Sequence, residues 1–224
     1  MFIATFPAGI WQTNCYLLGS SQTSPLVVID PGVEAFGVVE SQLAKLNVGL
    51  AGVIATHGHV DHIASAAKLA NKYQVKMWMH PDDDFMLTDA VAGLGSLSRP
   101  MLEEMGVATL DAPEQRGFLA DGQSLELGGI TFEIWHLPGH SPGSVNLLTR
   151  LSKGSILFTG DVLFAGSIGR TDLPGGDPAL MRNSLRRLVE LAPADAQCAP
   201  GHGSATSMER ELATNPYLNG SAVF

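Results

Sequence analysis

The sequence predicts an α/β protein whose strands fall into two groups. Two observations support this prediction. Short β-rich runs alternate with amphipathic helical runs along the 224 residues, and the runs of the N-terminal half enclose a helix whereas those of the C-terminal half include a hairpin. Because no low-complexity segment separates two composition regimes, we expect residues 1–224 to form a single domain.

The N-terminal group predicts a hairpin followed by a βαβ unit. A polar loop, Gly-Ser-Ser-Gln-Thr-Ser-Pro, separates the first two strands and permits antiparallel pairing. Between the next two strands, residues 61–73 place Ile63, Ala66 and Ala70 on one apolar stripe and predict a helix. The four predicted strands are residues 14–18, 26–30, 50–56 and 75–80.

The C-terminal group predicts further strands and two helices. Two glycines at 128–129 permit the positive φ of a two-residue hairpin turn. Asp177 before a proline is typical of a helix start, and the apolar spacing that follows extends this helix to about residue 191. Thr206 and Glu209 predict a capping box for a last short helix. The predicted strands are residues 124–127, 130–135, 144–149 and 155–159, after a mixed helical stretch at 82–106.

The composition excludes several classes of protein. With 45% hydrophobic and 16% charged residues, the chain has enough apolar surface for a core and is not disordered. Its 13 basic and 22 acidic residues give a net charge of -9, which argues against a nucleic-acid partner. No apolar run approaches the ~20 residues that a bilayer crossing needs, and no basic segment precedes an apolar start, so we expect neither a membrane partner nor a secretory signal.

The two cysteines, Cys15 and Cys198, are too few for a disulfide framework. We interpret both as reduced structural thiols, with a single bridge between them as the alternative. Reduced thiols are typical of a cytoplasmic protein, and that is the compartment we expect. The sequence leaves the oligomeric state open.

The most informative segment is Thr56-His57-Gly58-His59-Val60-Asp61-His62, which joins a predicted strand to a predicted helix. It brings three imidazoles and one carboxylate into six residues, and these are ligands that borderline divalent cations prefer. Backbone hydrogen bonds in a polar loop would explain one or two of these residues but not all four. A loop of this kind can supply ligands to two adjacent metal ions.

Three more potential ligands stand where a predicted strand or apolar run meets a glycine-containing turn. They are His140 in Pro-Gly-His-Ser-Pro-Gly, Asp161 in Phe-Thr-Gly-Asp and His202 in Pro-Gly-His-Gly. Glycine lets the backbone turn sharply and bring a ligand close to an ion. Each residue alone is typical of an ordinary turn, and only their occurrence together with the segment at 57–62 favours a metal site.

These motifs, in this order, resemble those of the metallo-β-lactamase superfamily. The similarity runs from Asn14-Cys15-Tyr16 and the turn Ile29-Asp30-Pro31-Gly32 to Asn215-Pro216-Tyr217-Leu218. Residues 160–172, Gly-Asp-Val-Leu-Phe-Ala-Gly-Ser-Ile-Gly-Arg-Thr-Asp, most resemble the corresponding loop of short glyoxalase II-like hydrolases. The resemblance implies a four-layered αββα sandwich with metals at one edge, between the sheets.

The resemblance also implies a ligand set for two divalent metal ions. It assigns His57, His59 and His140 to the first metal, Asp61, His62 and His202 to the second, and Asp161 to a bridging position. Zinc is the first choice for this set of nitrogen and oxygen ligands, with iron or manganese as alternatives. Asp61 would also be catalytic, because it would orient the hydroxide that the metals generate and accept its proton.

The implied activity is hydrolysis of a small-molecule substrate, a hydroxyacyl thioester such as S-lactoylglutathione or a related thiol conjugate. The leaving thiol, with a pKa of ~8.5, departs as a thiolate without a dedicated general acid. No cysteine falls at a ligand position, which points away from antibiotic hydrolysis. The alternatives are a mononuclear iron persulfide dioxygenase, a lactonase and a non-catalytic metal-binding module of the same fold.

Other polar residues near these motifs receive simpler interpretations. Arg170 could bind a substrate carboxylate or pair with Asp172, and the sequence leaves both open. His80 is predicted not to bind metal, and the three aspartates at 82–84 are expected to complement a helix dipole. His136 cannot share a helical face with His140 because a proline lies between them.

Overall fold

The structure is a computed structural model that describes residues 1–222. The first of its two large sheets contains the N-terminal strands. Its strands follow chain order, β1 to β6. The first three pair antiparallel, and β3 to β6 pair parallel. The strands are β1 Phe2–Ala8, β2 Thr13–Gly19, β3 Leu26–Ile29, β4 Leu50–Ile54, β5 Met77–Met79 and β6 Arg116–Phe118.

The second sheet has the order β14-β13-β10-β9-β8-β7. Strands β8, β10 and β13 run in the same direction, because β9 is antiparallel to both β8 and β10 and β10 is parallel to β13. A separate two-stranded ribbon joins β11 to β12. These strands are β7 Ser124–Leu127, β8 Ile130–His136, β9 Val145–Arg150, β10 Ser155–Gly160, β11 Leu163–Phe164, β12 Ser167–Ile168, β13 Gln197–Pro200 and β14 Thr206–Ser207.

The helices lie on the outer faces of the two sheets and around the loops at one edge. No helix among residues 1–222 combines the length and the apolar character that crossing a bilayer requires. The helices are α1 Ala35–Leu46, α2 Val60–Ile63, α3 Ala66–Tyr73, α4 Ala90–Leu94, α5 Arg99–Glu104, α6 Pro178–Leu191 and α7 Met208–Thr214, with short 3₁₀ helices at Pro81–Met86 and Ser96–Ser98.

Three apolar clusters define the four layers. Val39 of α1 and Leu17 of β2 belong to the cluster between the helices and the first sheet. Leu18, the next residue along β2, points the opposite way and packs with Phe132 of β8 between the two sheets. A third cluster joins the second sheet to α6 and includes Leu185. The predicted four-layered α/β sandwich is confirmed.

The predicted helix at 61–73 is wrong in one respect, because it is broken into α2 and α3. Ser65 lies at the break and bonds to the turn after β3: its backbone N–H donates to the Pro31 carbonyl at 2.9 Å, and its hydroxyl donates to the Gly32 carbonyl at 2.6 Å. A donor used by a neighbouring segment cannot continue the helical ladder. The break therefore comes from tertiary contacts that the helical period does not contain.

Two other expectations need correction or addition. The N-cap of α7 is Ser207, whose hydroxyl accepts from the Arg210 N–H at 3.3 Å, so the capping box predicted at Thr206 and Glu209 is wrong. Thr206 instead donates to the buried Glu211 carboxylate at 2.5 Å. Strand β1 and helix α1 were not predicted. Both cysteines are buried free thiols, as expected.

Candidate metal centre

The structure brings the seven predicted ligand residues together at one edge of the sandwich. Four of them follow β4, two in the loop and two on α2. The other three follow β8, β10 and β13, whose C-terminal ends share an edge because the strands run in the same direction. The seven residues are His57, His59, Asp61, His62, His140, Asp161 and His202.

His57, His59 and His140 form a compact group, which we call the three-histidine group. His57 Nε2 lies 3.1 Å from His59 Nδ1, His59 Nδ1 lies 2.9 Å from His140 Nε2, and His140 Nε2 lies 3.2 Å from His57 Nε2. Nitrogens bound tetrahedrally to one zinc ion would be about 3.3 Å apart. The spacing of these three atoms therefore fits a single metal ion.

Asp61, His62 and His202 form the second group, which we call the carboxylate group. His202 Nε2 lies 3.1 Å from Asp61 Oδ2, and His62 Nε2 lies 3.4 Å from the same oxygen. Asp161 lies between the two groups: its Oδ2 is 3.5 Å from His140 Nε2, and its Oδ1 is 3.4 Å from His62 Nε2. One carboxylate thus contacts both groups.

Hydrogen bonds on the outer side of the rings fix which nitrogen carries the proton. His140 Nδ1 donates to the Arg170 carbonyl at 2.8 Å, and His202 Nδ1 donates to the Trp11 carbonyl at 3.1 Å, because a carbonyl oxygen only accepts. In each ring the inner Nε2 is therefore the nitrogen that faces the other ligand residues. Inner nitrogens that converge in this way are the arrangement that a metal ion requires.

Asp30 performs the same task for both groups. Its Oδ2 accepts from His62 Nδ1 at 3.0 Å and from the Thr56 hydroxyl at 2.8 Å. That hydroxyl uses its only proton on Asp30, so it accepts from His57 Nδ1 at 3.1 Å. These bonds place a proton on the outer Nδ1 of His57 and of His62, so the inner Nε2 of each ring is the nitrogen that faces the other ligand residues. Sequence analysis noted Asp30 only within the turn Ile29-Asp30-Pro31-Gly32 and did not predict that it orients ligand histidines.

Thr13 supports the carboxylate group and was also missed. Its hydroxyl donates to Asp61 Oδ2 at 2.9 Å, and its backbone forms a β-bridge with His202. Thr13 is the first residue of β2, 48 residues before its partner. A threonine at the start of a strand carries no local signal of this contact.

Two observations test whether the site fits a metal. Asp161 Oδ1 is buried without a hydrogen-bond partner among the described residues, and an unpartnered buried carboxylate oxygen is costly unless a cation lies beside it. The donor set, neutral imidazoles with carboxylates, is also one that divalent transition metals accept. The residues present fit bound metal ions.

The two groups differ in charge. Burial, with repulsion from neighbouring imidazoles, lowers the pKa of His57 well below its usual value and that of His59 to about 3, so both rings are neutral, the form that binds metals. Burial also opposes a charge on His62, but Asp61, Asp161 and Asp30 outweigh it and raise its pKa to about 10. His62 is therefore protonated in the metal-free protein, and a metal ion that binds its Nε2 would displace that proton, attracted by the same three carboxylates.

Arg170 lies on the loop after β12 and pairs with Asp172. Its Nε and Nη2 each lie 2.7 Å from one Asp172 carboxylate oxygen, and the two side chains are 60% and 67% exposed. Of the two interpretations that the sequence left open, the ion pair is the one that the structure contains. Because the guanidinium is exposed, a role in substrate binding stays a prediction.

A further set of possible ligands, His80, Asp82 and His136, lies outside the centre. The two imidazole rings stack with centroids 3.9 Å apart. His80 Nδ1 accepts from the Asp82 N–H at 3.3 Å and caps the 3₁₀ helix, whereas His136 Nε2 donates to the Pro142 carbonyl at 2.8 Å. These bonds give the pair a structural role.

The chain was compared with known protein families and with curated relatives. A family model described as the metallo-beta-lactamase superfamily matches residues 8–202. A relative named hydroxyacylglutathione hydrolase GloC, from Haemophilus influenzae, is 35% identical over 98% of this chain and 99% of its own length.

Two solved structures have the same fold over nearly their whole length. One, described as the BLEG-1 B3 metallo-beta-lactamase, is 32% identical and superposes with a TM-score of 0.84 over 98% of this chain and 100% of its own. The other, TTHA1623 in a di-iron-bound form, is 32% identical with a TM-score of 0.78 over 97% of this chain and 100% of its own.

Proposed function

The chain belongs to the metallo-β-lactamase superfamily, and from this membership we propose that it is a metal-dependent hydrolase of hydroxyacyl thioesters, of the glyoxalase II-like kind. The observation that carries the proposal is the position of Asp161, a carboxylate in contact with both the three-histidine group and the carboxylate group. Two adjacent groups joined in this way suit a pair of divalent ions. The similarity to GloC supports a hydroxyacyl thioester as the substrate.

We assign the three-histidine group to one metal, the carboxylate group to a second and Asp161 to both. Zinc is our first choice, and the di-iron form of TTHA1623 supports iron as the alternative. When bound, the metals supply Lewis acidity that makes water a better nucleophile and polarises the substrate carbonyl. The contribution of the chain is to hold the ligands in place and to position the reacting water.

Asp61 is the residue that we propose to orient the attacking water and to accept its proton. The hydroxyl of Thr13, 2.9 Å away, fixes the direction of the carboxylate, and His202 lies 3.1 Å from the same oxygen. The Asp61 side chain is 14% exposed, so part of it is open to solvent. Burial opposes a charge on Asp61, but His62 and His202 outweigh it and lower its pKa, so the side chain is ionised, the form that can accept a proton.

Among the candidate substrates, a thioester is the one whose leaving group does not need a proton from this site. Water adds to the acyl carbon, and the carbon–sulfur bond then breaks with the electron pair going to sulfur. The thiolate, of pKa ~8.5, leaves without protonation, so no general acid is required. Arg170, which is exposed near the His140 loop, is the candidate that we propose to bind a carboxylate of the thiol carrier.

Hydrolysis of a β-lactam is a second candidate, because a structure described as a B3 metallo-beta-lactamase superposes closely on this chain. The addition step would be the same, but the leaving nitrogen is far more basic than a thiolate and needs a proton as the bond breaks. The thioester therefore remains the first proposal.

The test is a panel of substrates with metal analysis on the same preparation. The protein is purified, stripped of metal and reconstituted separately with zinc, iron or manganese. We expect two ions per chain and turnover of S-lactoylglutathione. Two bound ions with intact thioesters would overturn the thioester proposal, and opening of a lactone or a β-lactam would then identify the substrate class. A single iron with oxygen consumption on glutathione persulfide would indicate a dioxygenase, and no turnover of any substrate would indicate a binding module.

A further inference from the structure

Asp83 is a buried carboxylate that the proposed function does not use. Four carboxylate residues are buried among the described residues: Asp30, Asp83, Asp161 and Glu211. Asp30 and Asp161 contact ligand histidines, and Glu211 holds the β11–β12 ribbon through the Gly166 N–H at 2.8 Å. Asp83 lies on the 3₁₀ helix after β5, in a segment that supplies none of the seven ligands, and its side chain is fully buried.

The hydrogen bonds of Asp83 reach the two loops that form the three-histidine group. Its Oδ2 accepts from the Gly58 N–H at 2.7 Å, and Gly58 lies between His57 and His59. The same oxygen accepts from the Ser141 hydroxyl at 2.7 Å, and Oδ1 accepts from the Gly143 N–H at 2.6 Å. Ser141 directly follows His140. One side chain thus joins the loop after β4 to the loop after β8.

Both loops are shaped to accept this carboxylate at close range. A Cβ atom at Gly58 would lie 2.9 Å from the Asp83 Cβ, and one at Gly143 would lie 2.6 Å from the Asp83 Cγ. Side chains at these positions would push the loops away from Asp83. The two glycines therefore give a local reason for the fit, independent of the hydrogen bonds.

The chemistry of the contact requires a carboxylate rather than an amide. A backbone N–H points at each oxygen of Asp83, and an asparagine would turn an NH₂ group toward one of them in either orientation. Burial raises the pKa of Asp83, and the hydrogen bonds from Ser141, Gly143 and Gly58 oppose that rise by favouring the charged form. A buried charge of this sign favours a cation in the three-histidine group.

We propose that Asp83 is a positioning residue that holds the two histidine loops in register and thereby sets the metal affinity of the three-histidine group. The inference rests on the proposed function only in that this group binds a metal. It corrects the sequence-based interpretation, in which the aspartates at 82–84 only complement a helix dipole. Asp83 turns inward, whereas Asp82 is exposed and Asp84 pairs with Arg116.

The test compares Asp83→Asn with Asp82→Asn, the same substitution one residue away at an exposed position. Metal-free protein is titrated with Co²⁺ and Zn²⁺ against a chelator, and the cobalt absorption bands report the geometry at each bound ion. We expect Asp83→Asn to weaken one of the two ions by about 10- to 100-fold, to leave the other nearly unchanged and to alter one set of bands. Asp82→Asn should behave as the unmodified protein.

Two further measurements keep the proposal open to refutation. Ser141→Ala removes one of the three donors without a volume increase, and we expect it to weaken the same ion by about fivefold, as loss of one hydrogen bond to a charged group would. Thermal unfolding of the metal-free variants shows whether they fold. Unchanged affinity for both ions in a folded Asp83→Asn, or equal loss of both ions, would overturn the inference. These readouts need no substrate, so they stand apart from a failure to hydrolyse thioesters.

Discussion

The two halves of the metal centre are supported in different ways. The three-histidine group contains no carboxylate ligand of its own, its three residues are 1 to 3% exposed, and Asp83 accepts hydrogen bonds from both of its loops. The carboxylate group carries charge, and Asp61 and His202 are 14% and 28% exposed. From this comparison we propose a division of labour, in which the buried half would retain a metal and the more exposed half would face the substrate.

Replacing the proposed base should have the largest effect on turnover. Asp61→Asn keeps the shape of the side chain but removes the charge that accepts a proton. We expect kcat for a thioester to fall by about 10²- to 10⁴-fold, with loss of affinity confined to one metal ion. Steady-state kinetics and metal analysis on the same sample check this. Equal weakening of both ions would mean that the two halves are not independent.

Asp30 contacts both halves of the centre, so its replacement should affect both metal ions and not only one. Asp30→Asn would disturb the bonds to Thr56 and to His62, which orient one ligand in each group. We expect both metal ions to be weakened by about 10- to 100-fold, in contrast to the single ion that Asp83→Asn affects. Chelator competition measures both affinities. A variant that loses only one ion would contradict the role we give to Asp30.

Thr13→Val tests the support of the carboxylate group, the more exposed half of the centre. The substitution keeps the β-branched shape and removes the hydroxyl that donates to Asp61. We expect a decrease of about fivefold in kcat, corresponding to about 1 kcal/mol, with the metal in the three-histidine group unaffected. The control is Thr5→Val, on the neighbouring strand β1 and away from the ligands. A loss in the control of the same size would show that the effect is not specific to Asp61.

The smallest effect is expected at Arg170. Because the Arg170 and Asp172 pair is exposed, Arg170→Ala should change the free energy of unfolding by less than about 1 kcal/mol. If the guanidinium binds a substrate carboxylate, KM should rise by about fivefold in Arg170→Ala but not in Asp172→Ala, which breaks the pair and keeps the cation. A similar rise in both variants would assign the pair to loop structure alone.

The ligand residues were easier to predict from the sequence than the residues that support them, because the supporting contacts join positions far apart along the chain. Four ligand residues lie within six positions, at 57–62, and their chemistry can be recognised in that segment alone. The supporting contacts are remote: Asp83 is 25 residues from Gly58 and 60 from Gly143. No local pattern distinguishes an aspartate that turns inward from one that caps a helix.

The fold was predicted in the same uneven way. Period and turn chemistry located the hairpin at 124–136 and the helix that begins after Asp177, because those signals are local. They failed at Ser65, where contacts with the turn at 31–32 interrupt the helix, and at Ser207, which caps α7 in place of Thr206. The first error arises where tertiary hydrogen bonds compete with a local preference, whereas the second is local, because Thr206 donates to Glu211 five residues away.

The central claim is that two adjacent groups of side chains form one hydrolytic centre. The most direct measurement is a titration of metal-free protein with Zn²⁺, in which bound metal and hydrolysis of S-lactoylglutathione are followed in the same samples. We predict that binding saturates at two ions per chain and that hydrolysis reaches its maximum only with the second. Saturation at one ion, or two bound ions without hydrolysis, would contradict this account.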